Sequence, residues 1–379
     1  MMDSSASAGA ADFSPFDSLL LLSFGGPEKP DDVLPFLKNV TAGRGIPDER
    51  LIEVGEHYYS FGGRSPINDQ NRQLIAALEA DLERREVDVP LYWGNRNWEP
   101  YIDDTLRRIH ADGHRNVGVI TTSAYSSYSS CRQYREDLGM ALEKLHAEGI
   151  DLTVDKIRQY YNHPGFVSAS ADNVEAALRA VGAGTGTKVL FVTHSIPQTM
   201  QEASEVGTPG YLRQHEDLMR TIISEVSERL GRIVEGELVF CSRSGPPTQQ
   251  WLEPDINDRM AELKAEGISG VVAAPIGFVS DHMEVKFDLD TEARQTASEL
   301  DLDYYRAATV GTSEAFVSGL VDLLAERAAE LRGETPAVPV GGSLPACSPG
   351  SGACAVDCCI GKFDRPVAPV WPATASGIG

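Results

Sequence analysis

Short apolar runs alternate with helix-patterned stretches along most of this chain, and that alternation constrains the fold more than any other feature. Residues 19–22, 91–95 and 117–122 each read as a strand, with helical periodicity at about 30–40, 68–86 and 100–112 between and beside them. The later half does the same, with strands at 188–193, 239–243 and 271–277 and helices at 210–231 and 254–266. Strands separated by helices do not close as hairpins. They pair in parallel through helical crossovers, which predicts an α/β protein with parallel sheets. A last helix is expected at 313–333.

Two segments of the first half have counterparts in the second. LLLLSFGGP (19–27) matches VLFVTHSIP (189–197), and ADGHRNVGVITTSAYSSYS (111–129) matches AEGISGVVAAPIGFVSDH (265–282), in the same order. The expectation is two related α/β domains, 17–170 and 171–312, followed by the helix 313–333. Phe24 and His194 then occupy equivalent strand ends. Ligand sites in open α/β sheets gather outside the carboxyl ends of the strands, so both residues should face one cleft. Residues 1–16 are rich in Ser, Ala and Gly and are expected to be disordered. The tail 334–379 is rich in Pro, Gly, Ala and Ser and lacks periodicity, which also predicts disorder. Four cysteines in that tail argue that part of it is tied down.

The net charge is −23. That disfavours nucleic acid, whose phosphates need clustered Lys and Arg, and it disfavours an anionic membrane surface. The longest apolar runs are far too short to span a bilayer, and residues 1–12 carry neither a basic segment nor an apolar stretch. A soluble cytoplasmic enzyme is expected, in which structural disulfides would not persist. No GxxxxGK[ST] loop, no GxGxxG after the first strand, no serine nucleophile elbow and no HExxH motif is present.

Two constellations carry chemistry. His194 ends an apolar strand in Thr193-His194-Ser195-Ile196-Pro197, where a neutral imidazole can ligate a metal or accept a proton near neutral pH. The segment 280–292 follows a strand and places Glu284, Asp288 and Glu292 at i, i+4 and i+8. On a helix these share one face, as a ridge of hard oxygen ligands suited to a divalent metal. Spacing alone also allows a solvated acidic face at a helix N-terminus.

With these residues in view, the chain resembles the ferrochelatases over about 17–332. The motifs that carry the resemblance are LLLLSFGGPE (19–28), YYSFGGRSPIN (58–68), GNRNWEPY (94–101), VTHSIP (192–197), SRSGPPTQQWLEP (242–254) and PIGFVSDHMEV (275–285). The tail cysteines look like those of the branch in high-GC Gram-positive bacteria, which is associated with coproporphyrin III. The resemblance implies two Rossmann-like, chelatase-type domains with a porphyrin cleft between them, and insertion of Fe2+ into coproporphyrin III for haem biosynthesis. It implies that His194 and Glu284 handle iron and the porphyrin protons, and that Ser65 and Tyr134 contact the macrocycle. Phe24 stands where many relatives carry an iron-coordinating Tyr, so it is expected to pack against the macrocycle. His57 stands where others carry an Arg near the propionates, and Thr41 aligns with another propionate-binding Arg. Protoporphyrin IX as substrate, or a cobalt chelatase, are the alternatives. A monomer is expected, with transient contacts to neighbouring haem-pathway enzymes.

Iron–sulfur clusters take four thiolates. The resemblance implies that Cys131 and the tail residues Cys347, Cys354 and Cys359 hold a [2Fe-2S] cluster. Cys358 is the alternative to Cys359, and zinc or no metal are the alternatives to the cluster. Cys241, in mid-strand, reads as core.

Overall fold

A computed structural model describes residues 12–181, 186–245, 248–346 and 357–368. The first half runs β1 (Ser18–Ser23), α1 (Val33–Val40), α2 (Asp48–Tyr59), α3 (Ile67–Arg84), β2 (Leu91–Asn95), α4 (Ile102–Ala111), β3 (Asn116–Thr121), a π turn (Tyr128–Arg132), α5 (Gln133–Ala147), β4 (Thr153–Lys156) and α6 (Pro164–Ala180). The second half runs β5 (Thr187–His194), α7 (Gln198–Ser204), α8 (Tyr211–Leu230), β6 (Gly236–Cys241), α9 (Ile256–Ala265), β7 (Gly270–Ala274), a π-helix (Val285–Ala293), α10 (Arg294–Glu299), β8 (Asp303–Arg306) and α11 (Glu314–Leu331).

The strands form two four-stranded parallel sheets, ordered β2-β1-β3-β4 and β6-β5-β7-β8. The second order is the first with four added to each number, so the two paired segments seen in the sequence, β1 with β5 and β3 with β7, occupy matching places. A second correspondence supports this: Asn95 N–H donates to the Pro100 carbonyl, and Phe240 N–H donates to the Pro254 carbonyl. Central parallel strands are covered on both faces, and so read as unbroken apolar runs. Leu19 to Leu22 are fully buried, as are Val189 to Val192. The edge strands β4 (TVDK) and β8 (DYYR) are polar and short, which hid them from an apolarity search.

The last helix of each half packs on the other half. Helix α6 lies against α8, β7 and β8, while α11 lies against α3 and β3. One continuous core cluster therefore includes residues of both halves, from Leu19 and Ile120 to Phe191 and Val272. The expected division at 170/171 falls inside α6. Apolar periodicity reports that a helix face is buried, not which sheet buries it.

Both flanks depart from expectation. Residues 12–16 are packed rather than disordered: Phe13 and Phe16 sit in the main core, and the Arg332 guanidinium holds the carbonyls of Asp12 and Ser14 at 2.9 and 2.6 Å. Residues 334–346 form an ordered strap without regular structure. Gly341 N–H donates to the Asn162 carbonyl at 2.7 Å, Asn162 Nδ2 donates to the Leu344 carbonyl at 3.1 Å, and Asp217 accepts from Ser343 N–H at 3.0 Å. No helix among the described residues is long and apolar enough to cross a membrane.

Two buried histidines give this core a pH dependence. Burial pushes His163 down to about 4, with the Arg158 charge adding to the effect, and burial pushes His215 down to about 3 against a hydrogen bond to the Tyr211 carbonyl. Both folded values lie below the unfolded value of about 6.5. As pH falls through that window the unfolded chain takes up protons that the folded chain refuses. Unfolding free energy is therefore expected to fall below pH 6.5, by up to about 1.4 kcal/mol per pH unit per histidine. Urea titrations at pH 7, 6 and 5 should show this slope, and His163→Gln should make it shallower. An equally steep slope in the variant would remove His163 from the account.

Candidate functional site

His194 is the last residue of β5, a central strand held on both sides by β6 and β7. Just beyond it, Ser195 N–H donates to the Cys241 carbonyl at 2.8 Å. The His194 Nδ1 atom is hydrogen-bonded to the Ser195 carbonyl. A carbonyl only accepts, so Nδ1 carries a proton and Nε2 is the nitrogen turned towards Glu284. Nε2 lies 3.6 Å from Glu284 Oε1. Both side chains stay accessible, 32% and 48% exposed.

The charges of this pair act on each other. Burial disfavours the imidazolium, but the Glu284 carboxylate outweighs it and raises the affinity of His194 for its proton. Burial would likewise raise Glu284, but His194 and then His282 hold it below the ordinary carboxylate range. His282 supports the arrangement by accepting the Glu284 N–H on Nδ1 at 3.1 Å. It is itself pushed towards the neutral form by burial, against the pull of Glu284, with the His194 charge adding to the push.

Glu284 leads into the π-helix Val285–Ala293, where a regular α-helix was expected. Such wide turns recur at functional sites. Asp288 lies one step along and accepts a hydrogen bond from Ser242 Oγ, whose residue sits at φ 62° immediately after β6. Burial pushes Asp288 up to about 7, with Glu284 and Glu292 adding to the effect and Ser242 and His194 opposing it. Glu292 is also raised, by burial first and the Asp255 carboxylate last, against the His57 charge. The three carboxylates thus run from His194 past Ser242 towards His57, each in a different electrostatic setting.

The first half supplies the facing wall. Phe24 follows β1, partly buried, with its ring edge-on to Phe36 at 6.2 Å and the Arg96 guanidinium 5.7 Å from its centroid. Phe36 meets Tyr58 in turn, and the phenol of Tyr58 feels the Glu284 charge, which adds to burial in raising its pKa. Ring contacts therefore lead from Phe24 to Tyr58, whose phenol feels the Glu284 charge. His57 does not present a free ring: it stacks on Phe287 of the π-helix at 3.7 Å, with 8° between the planes. Ser65 is 4% exposed, beneath the Gly26–Pro27 turn, and its N–H donates to the Pro27 carbonyl. Tyr134 is also 4% exposed, packed under Arg96 at 4.5 Å. Thr41 Oγ1 is spent on the Leu37 carbonyl at the end of α1.

Sequence reasoning passed over several residues of this wall. Arg96 and Asn97 follow β2 directly, inside a motif used only for the resemblance. Arg96 pairs with Asp137, and Asn97 Nδ2 holds the Phe24 carbonyl at 3.1 Å. Their strand-end position was the available signal, the same one that singled out His194.

Of the cysteines, Cys131 lies in the π turn, 3% exposed, and accepts a hydrogen bond from Gln159 Nε2. Cys358 and Cys359 are also buried, with sulfurs 3.5 Å apart, and the Cys358 carbonyl accepts from Arg132. Cys347 and Cys354 lie outside the described residues. Among the described residues no group of three or more His, Cys, Asp or Glu side chains is gathered as a metal site. Cys241 is in the core, as expected, and burial pushes its thiol up.

The His194–Glu284 pair and the carboxylates after it thus stand beyond the carboxyl ends of β5 and β7 in an α/β protein of two parallel sheets. The sequence profile of the ferrochelatases matches residues 17–328. The coproporphyrin III ferrochelatase of Streptomyces coelicolor is 52% identical over 365 residues, spanning 94% of this chain and 96% of that one. A ferrochelatase of Rhodopirellula baltica is 47% identical over 358 residues, spanning 94% and 97%. The solved structure of SirB from Bacillus subtilis with Fe3+ aligns at a TM-score of 0.49 and 13% identity, covering 83% of this chain and 97% of that one. The chain belongs to the ferrochelatase family.

Proposed function

We propose that this enzyme inserts Fe2+ into coproporphyrin III to give coproheme. The observation that carries the reading is His194 Nε2 facing Glu284 Oε1 at 3.6 Å. Glu284 takes the incoming Fe2+ as a carboxylate ligand. A cation there cancels the attraction that keeps His194 doubly protonated, so Nε2 gives its proton to solvent and becomes free to act as a base or ligand. It then accepts one N–H proton from the macrocycle as the metal enters, and the second leaves by way of Asp288 and Glu292 to solvent. Phe24, which has no donor atom, packs against the macrocycle. Ser65 and Tyr134 support that wall from beneath, and His57 reaches a propionate only by leaving Phe287. Similarity to coproporphyrin III ferrochelatases supports the substrate.

Anaerobic assays with Fe2+ and each porphyrin test this. Coproporphyrin III should be metallated faster than protoporphyrin IX; the reverse order would overturn the substrate assignment. Co2+ in competition should not displace Fe2+ at equal concentration.

The reading includes a [2Fe-2S] cluster on Cys131, Cys347, Cys354 and Cys359, with Cys358 as the alternative to Cys359. Its support is local. The strap ends at buried Ala346 after bonding to Asn162, three residues from the Gln159 that touches Cys131. At the start of the chain next described, 357–368, the Cys358 carbonyl accepts from Arg132 of the π turn that holds Cys131. The cluster would supply a cross-link of the tail to the first half. Cys131→Ser is expected to lose visible cluster absorption and bound iron; zinc found in stoichiometric amount in the native protein would sink the assignment.

A further inference from the structure

Beneath His194 lies a buried polar network that joins both halves of the molecule. His215, on α8, is fully buried. Its Nδ1 is 2.8 Å from the Tyr211 carbonyl, so Nδ1 carries the proton. Burial keeps the ring neutral, and Nε2 then accepts from Thr193 Oγ1 at 2.9 Å. With its own proton committed, Thr193 Oγ1 accepts from the Tyr211 hydroxyl at 2.6 Å. That hydroxyl also lies 3.0 Å from the His194 carbonyl, so one phenolic proton is shared between the two.

The same histidine is clamped from the first half. Tyr125, which follows β3, stacks on His215 at 3.6 Å with 13° between the rings. Its hydroxyl donates to the Ile276 carbonyl at 2.7 Å, at the start of the loop that leads to Glu284. On that loop, a Cβ at Gly277 would fall 2.2 Å from Thr193 Oγ1, so only glycine leaves room for the hydroxyl. Carbonyls on the His194 and Glu284 segments are therefore both fixed by this one cluster.

We propose that Tyr211, oriented by His215 and Thr193, is a positioning residue that sets the main chain of His194 so that Nε2 meets Glu284. It touches neither metal nor porphyrin. The inference rests on the roles given above to His194 and Glu284. Displacing reacting groups by even an ångström is costly, so a lost anchor should appear in turnover rather than in porphyrin affinity.

The test uses the full-length protein with 15N-labelled histidine. Tyr211→Phe should lower kcat by about tenfold, the scale of one buried hydrogen bond, with the porphyrin KM within about twofold. The His194 ring resonances, assigned by comparison with His194→Ala, should shift in the same variant. Thr193→Val should reproduce both effects and Thr193→Ser should restore them. Unmoved His194 resonances in Tyr211→Phe would overturn the positioning role, as would a rise in KM matching the fall in kcat. A fully active His194→Ala protein would instead overturn the catalytic reading, whatever the resonances do.

Discussion

His194→Ala is expected to cut iron insertion by about 10²–10⁴-fold, the range of a lost positioned acid–base group, while coproporphyrin binding survives. The geometry explains the separation. His194 is held by main-chain bonds at a strand end, and only Nε2 faces the cleft. On the function proposed above, removing the ring deletes a base and a ligand but leaves the ring contacts of Phe24, Phe36 and Tyr58 in place. Binding can be followed by quenching of porphyrin fluorescence and insertion by the change in absorption. A variant that retained turnover within threefold would remove His194 from the chemistry. One that lost porphyrin binding in step with turnover would make it a binding residue.

The largest stability effect should come from the far side of the fold. Arg327 on α11 is 2% exposed and makes two hydrogen bonds to Asp155 of β4, at 2.8 and 2.9 Å, and a third to Glu330 at 2.6 Å. Next to it Arg158 binds Glu326 at 2.7 Å. Arg327→Leu leaves Asp155 and Glu330 buried without their cation, and unfolding free energy should fall by about 3–5 kcal/mol. Replacing Asp155 by Leu as well should recover part of the loss, because fewer charges remain stranded. Urea denaturation of the two variants decides it. A single variant within about 1 kcal/mol of wild type would contradict the burial on which the estimate rests.

What could be read from the residues beforehand follows from where each residue sits. The central strands were legible because burial on both faces makes them apolar throughout, as in Leu19–Leu22. Strands β4 and β8 were not, because edge positions carry charge, as Asp155 and Arg306 do. His194 stood out by its strand end, and Glu284 only once the resemblance to the ferrochelatases was added to its spacing from Asp288. The π-helix was not, since periodicity does not separate an i→i+5 ladder from an α-helix over nine residues. Nor was the seating of His57 on Phe287, a contact between segments some 230 positions apart that no local pattern encodes. The same holds for Arg96: an arginine beside a strand is ordinary until Phe24 and Tyr134 are seen on either side of it.

The exchange of α6 and α11 also makes the two halves depend on each other. Each half's last helix covers the other half's sheet, so a half cut off on its own would carry a helix without its partner and leave a sheet face bare.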